Sequence, residues 1–449
     1  MIRLSYQIQL EMPVNGQDTA NYIGHLWNKN GQIQIVLSFA EKLDFECLKR
    51  AVRLTIDAEP VLGCEFVIID NKPIWRRCKD LDQIAWCKLI ETEKPDDTLH
   101  IILCKPFEEE KYQLEVYLLR SAKNEILCIK INHSCSDGGG AKDYLHLLKE
   151  TYTQLTKDAN FYPKINHNLD RSTRQIFKNL GIINPASLIN LHLAALKPTW
   201  AFPYRKSDVR NFNYLILPLT RSETNQLFLY AKEKKVTLND LILSAYYRAL
   251  FTIIDPAFDQ PMEICVTMDL RSYLEEGRAA AICNLSGVLN HRIFRVKENS
   301  EATLSRVADG MKVLKKDNPG LHSAALMEML SGMDFKTATA SIKNAWDESV
   351  HSGKSTINLS NFGIISSELL QFGEIAAEDA YMVTPVFKAP SFMLGASTYQ
   401  SKLTFTVGFC EPEVREEDVR QLLSDLKKEL IINSNYPLLD LPLHSGYSE

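Results

Sequence analysis

The chain has 449 residues, is 45% hydrophobic and 24% charged, and carries a formal net charge of -5, the balance of a water-soluble globular protein with room for more than one core. No long basic block is present, which argues against nucleic-acid binding. No apolar run is long enough to span a bilayer and the opening residues, MIRLSYQIQLEMP, do not read as a secretory signal, so a cytoplasmic location is expected. The ten cysteines, Cys47 to Cys410, include no CxxC pair and no zinc spacing, and are expected to be free thiols with no metal site.

In chain order, alternation of apolar and polar residues predicts a strand over Gln32–Phe39. Asp44 caps a predicted helix with Phe45, Leu48, Val52 and Ile56 on one face, ended by Pro60. Strands follow at Cys64–Ile69 and Ile74–Arg77 across an Asp70-Asn71-Lys72-Pro73 turn. Leu99–Cys104 reads as a further strand, and Gln113–Leu119 with Glu125–Ile131 as a hairpin around Ser121–Asn124. From Lys157 to Arg210 prolines and polar residues break the pattern, but its Phe, Leu and Trp content is too high for full disorder.

Beyond Arg210 a similar order of elements resumes. Strands are predicted at Phe212–Leu217, Glu263–Leu270, Leu285–Val296, Thr356–Phe362, Met382–Phe387, Phe392–Thr398 and Leu403–Phe409. Helices are predicted at Ser222–Lys234, at Leu238–Ile253 behind Thr237, and at Glu301–Lys315, His322–Met333 and Glu416–Leu430. Strands and helices interleaved in both halves predict an α/β protein of mixed sheets with helices packed on them. We divide it into residues 1–170, a crossing segment 171–210, and residues 211–449.

The most informative stretch is Ile129-Lys-Ile-Asn-His-Ser-Cys-Ser-Asp-Gly-Gly-Gly-Ala141. The apolar run Ile126–Ile131 reads as a buried strand, and Ala141, Leu145, Leu148, Tyr152 and Leu155 make one face of a helix. The polar turn between them holds an imidazole, a carboxylate at an N-cap position and three glycines.

This stretch resembles the HHxxxDG signature of condensation-type and chloramphenicol-acetyltransferase-like acyltransferases. Asn132 stands in place of the first His, while His133, Asp137 and Gly138 match the rest. Related plant-type acyltransferases need only HxxxD. The resemblance covers nearly the whole chain in order of elements, although its specific motifs are few. It implies two acyltransferase-like lobes with the active site in a tunnel between them, and His133 as general base. It implies a structural Asp137 paired with Arg271, in Val266-Thr-Met-Asp-Leu-Arg271. Ser360-Asn361-Phe362-Gly363 resembles the family's late S-N-x-G segment and Asn284 another of its recurring positions. Ser360 or Asn361 is a candidate oxyanion donor, and Asn284 a support of the tunnel backbone. The DFGWG motif of the plant enzymes is absent.

Each residue has a plainer reading. A lone His is usually a hydrogen-bonded structural residue, yet its place between buried strand and buried helix favours the catalytic one. Asp137 serves as an N-cap in either case; Arg271 is otherwise a strand-end charge. Gly138 is expected to leave room for substrate, with Gly139 and Gly140 ordinary turn residues. Cys135, two residues from His133, is a poor nucleophile candidate because the side chains need not face each other. Neither GxxxxGK[ST] nor GxGxxG occurs.

The expected function is transfer of an acyl group from a thioester, acyl-CoA, to an alcohol or amine, with no permanently bound cofactor and a monomer sufficing. Two alternatives stand beside it: a free-standing condensation enzyme fed by a phosphopantetheinyl carrier protein, and a non-catalytic relative acting as a binding protein.

Overall fold

The computed structural model describes residues 8–28, 30–109, 111–168, 170–189 and 197–433. Two mixed sheets dominate. The first has five strands in the order Asp379–Val383, Gln32–Phe39, Glu125–Asn132, Leu114–Arg120, Cys87–Glu91, and is antiparallel except for its last pair. The second has six, in the order Ser286–Phe294, Pro261–Asp269, Ile357–Ile364, Phe392–Tyr399, Lys402–Glu411, Asn211–Pro218. Within it Ile357–Ile364 runs parallel to both neighbours.

Each sheet carries its own core. Helices Phe45–Ala58 and Gly138–Lys157 cover the first, burying Leu48, Val52, Ile56, Leu145 and Leu148 against Ile33, Ile35, Ile129 and Ile131. Helices Leu238–Ile254 and Glu416–Asn433 cover the second, with Leu241, Ala245, Ala249, Leu422 and Leu426 in the core. Glu125–Asn132 is buried along its whole length, as a central strand covered on both faces should be.

The edge strand Asp379–Val383 comes from the second half of the chain yet pairs with Gln32–Phe39 of the first sheet. Residues 211–449 are therefore not confined to one sheet. Met382 and Val383 of the predicted Met382–Phe387 strand lie in it; the rest follows it. Residues 190–196 of the crossing segment lie outside the described residues.

Leu99–Cys104, predicted as a strand, is part of the helix Pro95–Cys104. Pro95 at its first position and Asp96 and Asp97 in its first turn are helix-start features, and Leu99, Ile102 and Leu103 share its buried side. Short apolar runs do not distinguish strand from helix by period. The sequence reading also left unassigned the helices Gly16–Asn28 and Phe335–Ser352 and the strand Cys87–Glu91. Among the described residues no helix is long and apolar enough to cross a membrane.

Candidate active site

His133 follows directly on Glu125–Asn132, and its N–H donates to Gly31 O at 2.8 Å, extending the pairing with the neighbouring strand's entry. The chain then turns through Ser134–Ser136 and enters the helix at Gly138. The His133 ring lies 2.9 Å by Nδ1 from Ser136 O. A carbonyl only accepts, and Asn21 Nδ2, 3.3 Å from the same nitrogen, has its two hydrogens on His133 O and Asn284 Oδ1, so Nδ1 carries the proton and Nε2 keeps its lone pair. Burial holds the imidazole below its ordinary range, against the opposing pull of Asp137.

His133 lines a cavity of about 250 Å³. The opposite wall comes from the second sheet, through Thr267, Asn358, Ser360, Asn361 and Met393. The imidazole is thus not sealed in solid packing: it faces open space between the two halves. A larger cavity, about 650 Å³, lies beside the helix Phe45–Ala58 and includes Arg53, Arg77 and Trp86. None of the candidate site residues lines it, and Arg53 and Arg77 are already paired with Asp57. His133, Asp137, Gly138, Ser360 and Asn361 all line the smaller one.

Asp137 has both carboxylate oxygens engaged by the surrounding structure. Its Oδ1 accepts from Gly140 N at 2.8 Å as the N-cap. Its Oδ2 accepts from Leu285 N at 2.7 Å and Ser286 Oγ at 2.9 Å. Arg271 Nη1 sits 3.0 Å from Oδ1. Burial alone would raise this carboxyl; the guanidinium and the N–H donors outweigh burial and hold it below the usual range. Arg271 also reaches Asp269 at 3.1 Å, Asp143 at 3.4 Å and Cys283 O at 3.0 Å.

The three glycines are in helical conformation, with none at positive φ. Space, not backbone freedom, selects them. A Cβ on Gly138 would fall 2.5 Å from the Phe362 ring, and one on Gly139 would strike Arg271. On Gly140 it would lie 2.8 Å from Cys283 O. Gly138 therefore makes room for Phe362 of the facing strand, and Gly139 and Gly140 are as constrained as Gly138.

Asn132 does not reach the cavity. It is buried, its Oδ1 accepting from Ser134 N at 3.0 Å and its Nδ2 donating to Tyr112 O at 3.4 Å. Ser360 Oγ accepts from Thr267 Oγ1 at 3.2 Å, leaving its own hydrogen to point elsewhere. Asn361 lines the cavity, but its amide is engaged at both ends, with Asn239 Oδ1 at 3.2 Å and Gly363 N at 2.9 Å. Cys135 is buried, its thiol pushed up to about 12 by burial, which removes it as a nucleophile.

Of the supports beneath the loop, sequence reasoning named Asn284 and missed Asn21, Arg171 and Asp18. His133 O accepts from Asn21 Nδ2 at 2.9 Å and Asn284 Nδ2 at 3.1 Å. Ser134 O accepts from Asn284 at 3.2 Å, and Cys135 O from Arg171 Nη2 at 2.7 Å. With the His133 ring on Ser136 O, four consecutive carbonyls have assigned donors. Arg171 is held by Asp18 at 2.6 Å, and Asp18 also accepts from Trp75 Nε1 at 2.9 Å and Asn284 Nδ2 at 3.0 Å. Asn15, whose Oδ1 accepts from Asp18 N at 2.8 Å, starts an N-x-x-D cap that would have revealed the helix bearing Asp18 and Asn21.

No protein-family model and no curated protein sequence matches this chain. Solved structures do match in fold. A trichothecene 15-O-acetyltransferase from Fusarium sporotrichioides superposes with a TM-score of 0.73 at 13% identity, over 94% of this chain and 95% of that one. The first condensation domain of the calcium-dependent antibiotic synthetase, in complex with a substrate analogue, gives 0.68 at 14% identity, over 96% and 100%. Polyketide synthase associated protein 5 from Mycobacterium tuberculosis gives 0.64 at 13% identity, over 94% and 99%. At such identities the likeness is one of fold: the chain has the two-lobed architecture of condensation-type and chloramphenicol-acetyltransferase-like proteins.

Proposed function

We propose that this protein is an acyltransferase that moves an acyl group from a thioester, acyl-CoA, to an alcohol or amine, with His133 as general base. One observation carries the reading. The His133 ring is fixed through Nδ1 on Ser136 O and lines a cavity between the two lobes, in the tautomer that can accept a proton at Nε2. Nε2 takes the acceptor's proton as its oxygen or nitrogen bonds to the thioester carbonyl carbon. The C–S bond then breaks, and the leaving thiolate receives that proton from the imidazolium. Ser360 Oγ, whose hydrogen is not used by Thr267, is the candidate donor to the oxyanion. Asp137 and Arg271 hold the loop and touch no reacting atom.

Condensation from a phosphopantetheinyl carrier protein is the second reading. It is favoured by coverage of the full length of a condensation domain. Release of free thiol from a panel of acyl-CoAs, with mixed alcohols and amines, tests the first reading. Turnover that appears only with an acylated carrier protein favours the second. No turnover with either donor contradicts both and leaves a binding protein.

A further inference from the structure

The strand Ile357–Ile364 brings Ser360 and Asn361 to the cavity wall, and its far end is irregular. Its pairing with Pro261–Asp269 ends at Leu359. Its pairing with Phe392–Tyr399 slips: Asn361 sits opposite Ala396 and Ile364 opposite Thr398, so three steps on one strand meet two on the other. This is a β-bulge with one extra residue, a feature over-represented beside active sites. Gly363 has φ +69°, and a Cβ there would meet nothing within 4 Å among the described residues, so the backbone angle and not space selects glycine. Asn361 Oδ1 closes the bulge by accepting from Gly363 N at 2.9 Å. A side chain of the first lobe reaches across to it. Lys142 Nζ donates to Phe362 O and, at 3.1 Å, to Ile364 O. Asp269 and Asp143 act on this ammonium only at a distance, and among the described residues it forms no ion pair. Lys142 stands one turn beyond Gly138 on the same helix face, and Gly138 is where the Phe362 ring rests. The helix therefore holds Phe362 by its ring and by its carbonyl. Gly138, Lys142, Ser360, Asn361 and Phe362 all line the His133 cavity.

We propose that Lys142 is a positioning residue for the transfer: by holding the bulge it sets the wall that carries Ser360 against the wall that carries His133. This rests on the acyl-transfer reading above. The base follows a strand of one sheet and the candidate oxyanion donor lies on a strand of the other, so their separation is a property of the seam between the lobes and not of either lobe. Ser360 is two residues from Phe362 on the same strand, and what fixes the bulge fixes it. An ammonium donating to two carbonyls makes charge-assisted hydrogen bonds, stronger than neutral ones. A misplacement of about 1 Å between reacting groups can cost about 10²-fold in rate. The ammonium is committed to the bulge, so its loss falls on turnover and not on thioester binding.

The test measures kcat and KM for acetyl-CoA and longer acyl-CoAs by thiol release, and amide hydrogen exchange over residues 360–366. Wild type, Lys142→Met and Lys142→Arg are compared after thermal unfolding shows each is folded, with Lys142→Gln replacing the methionine variant should that one not fold. In Lys142→Met, kcat is expected to fall about 10–100-fold with KM little changed. Exchange at Gly363 and Ile365, whose N–H groups are bonded to Asn361 Oδ1 and Thr398 O, is expected to quicken about 10-fold. Lys142→Arg keeps the charge and the donors and is expected to recover most of both effects. A merely structural lysine would lower the unfolding temperature and leave kcat of the folded protein alone. Unchanged kcat, a rise in KM alone, unchanged exchange, or an arginine variant no better than the methionine one overturns the proposal. If wild type turns over no thioester, the acyl-transfer reading fails by itself, and exchange alone decides whether Lys142 holds the cavity wall. Exchange quickened in Lys142→Met and restored in Lys142→Arg upholds it, and any other pattern overturns it.

Discussion

At the scale of single residues, the proposed site separates the candidate base from the groups that hold it. His133 is committed at Nδ1 and open at Nε2, and burial lowers its affinity for a proton. A base must be neutral to act. The acid limb of kcat/KM is therefore expected to lie below the ordinary imidazole value of about 6.5, as read from a pH–rate profile. Asp137 is different in kind. Its oxygens tie a helix start, Arg271 and the Leu285–Ser286 backbone into one node. Asp137→Ala leaves Arg271 buried without this partner and is expected to cost about 3–5 kcal/mol in denaturant unfolding. Asp137→Asn keeps a capping oxygen and is expected to fall less far. His133, Asp137 and Gly138 were legible in the sequence because one motif links them, and Arg271 through the family resemblance alone. Asn21, Asp18 and Arg171 were not, since single polar residues on distant segments carry no spacing that relates them to His133.

At the scale of elements, a strand–turn–helix unit is pressed against the facing lobe so closely that its first helical turn has no side chains. Alanine is ordinarily better than glycine inside a helix by about 1 kcal/mol. At Gly140 the order is expected to reverse, because the new Cβ meets the backbone oxygen of Cys283 at 2.8 Å, which a rotamer change cannot relieve. Gly140→Ala is expected to destabilise by about 1–3 kcal/mol, measured as a lowered denaturation midpoint, whereas Gly24→Ala, with nothing within 4 Å, is not. The elements legible in the sequence were those with one clean apolar face. Phe335–Ser352 escaped although Phe335, Ala338 and Ile342 share one face and pack with Ile23 and Leu330, because that face is short and the rest of the helix is polar. Pro95–Cys104 was mistaken because six apolar-rich residues were weighed without the Pro-Asp-Asp that precedes them.

At the scale of the whole molecule, the lobes are fastened by more than the site. The strand Asp379–Val383 leaves the second half to close the edge of the first sheet, and Lys142, on the helix after His133, donates to Phe362 O and Ile364 O of the facing strand. This crossing was not legible: the apolar run near Met382 announces a strand, but no local pattern tells which sheet it joins. Within the second lobe His291 is 1% exposed, with Nδ1 3.2 Å from Tyr247 Oη, and burial pushes it down to about 4. A depressed folded-state value means that the unfolded chain binds more protons between roughly pH 6.5 and 4. Stability is then full above that window and is lost as pH falls through it, by of the order of 3 kcal/mol. Unfolding curves across this range should show the decline, and His291→Gln should flatten it.

The central claim is that the imidazole at position 133 removes the acceptor's proton within the interlobe cavity. It is tested most directly by thiol release from acyl-CoA, comparing His133→Ala with wild type after matching thermal unfolding shows both are folded. The account predicts a fall of about 10²–10⁴-fold in turnover with the unfolding temperature little changed. A folded His133→Ala protein that releases thiol at the wild-type rate would contradict it.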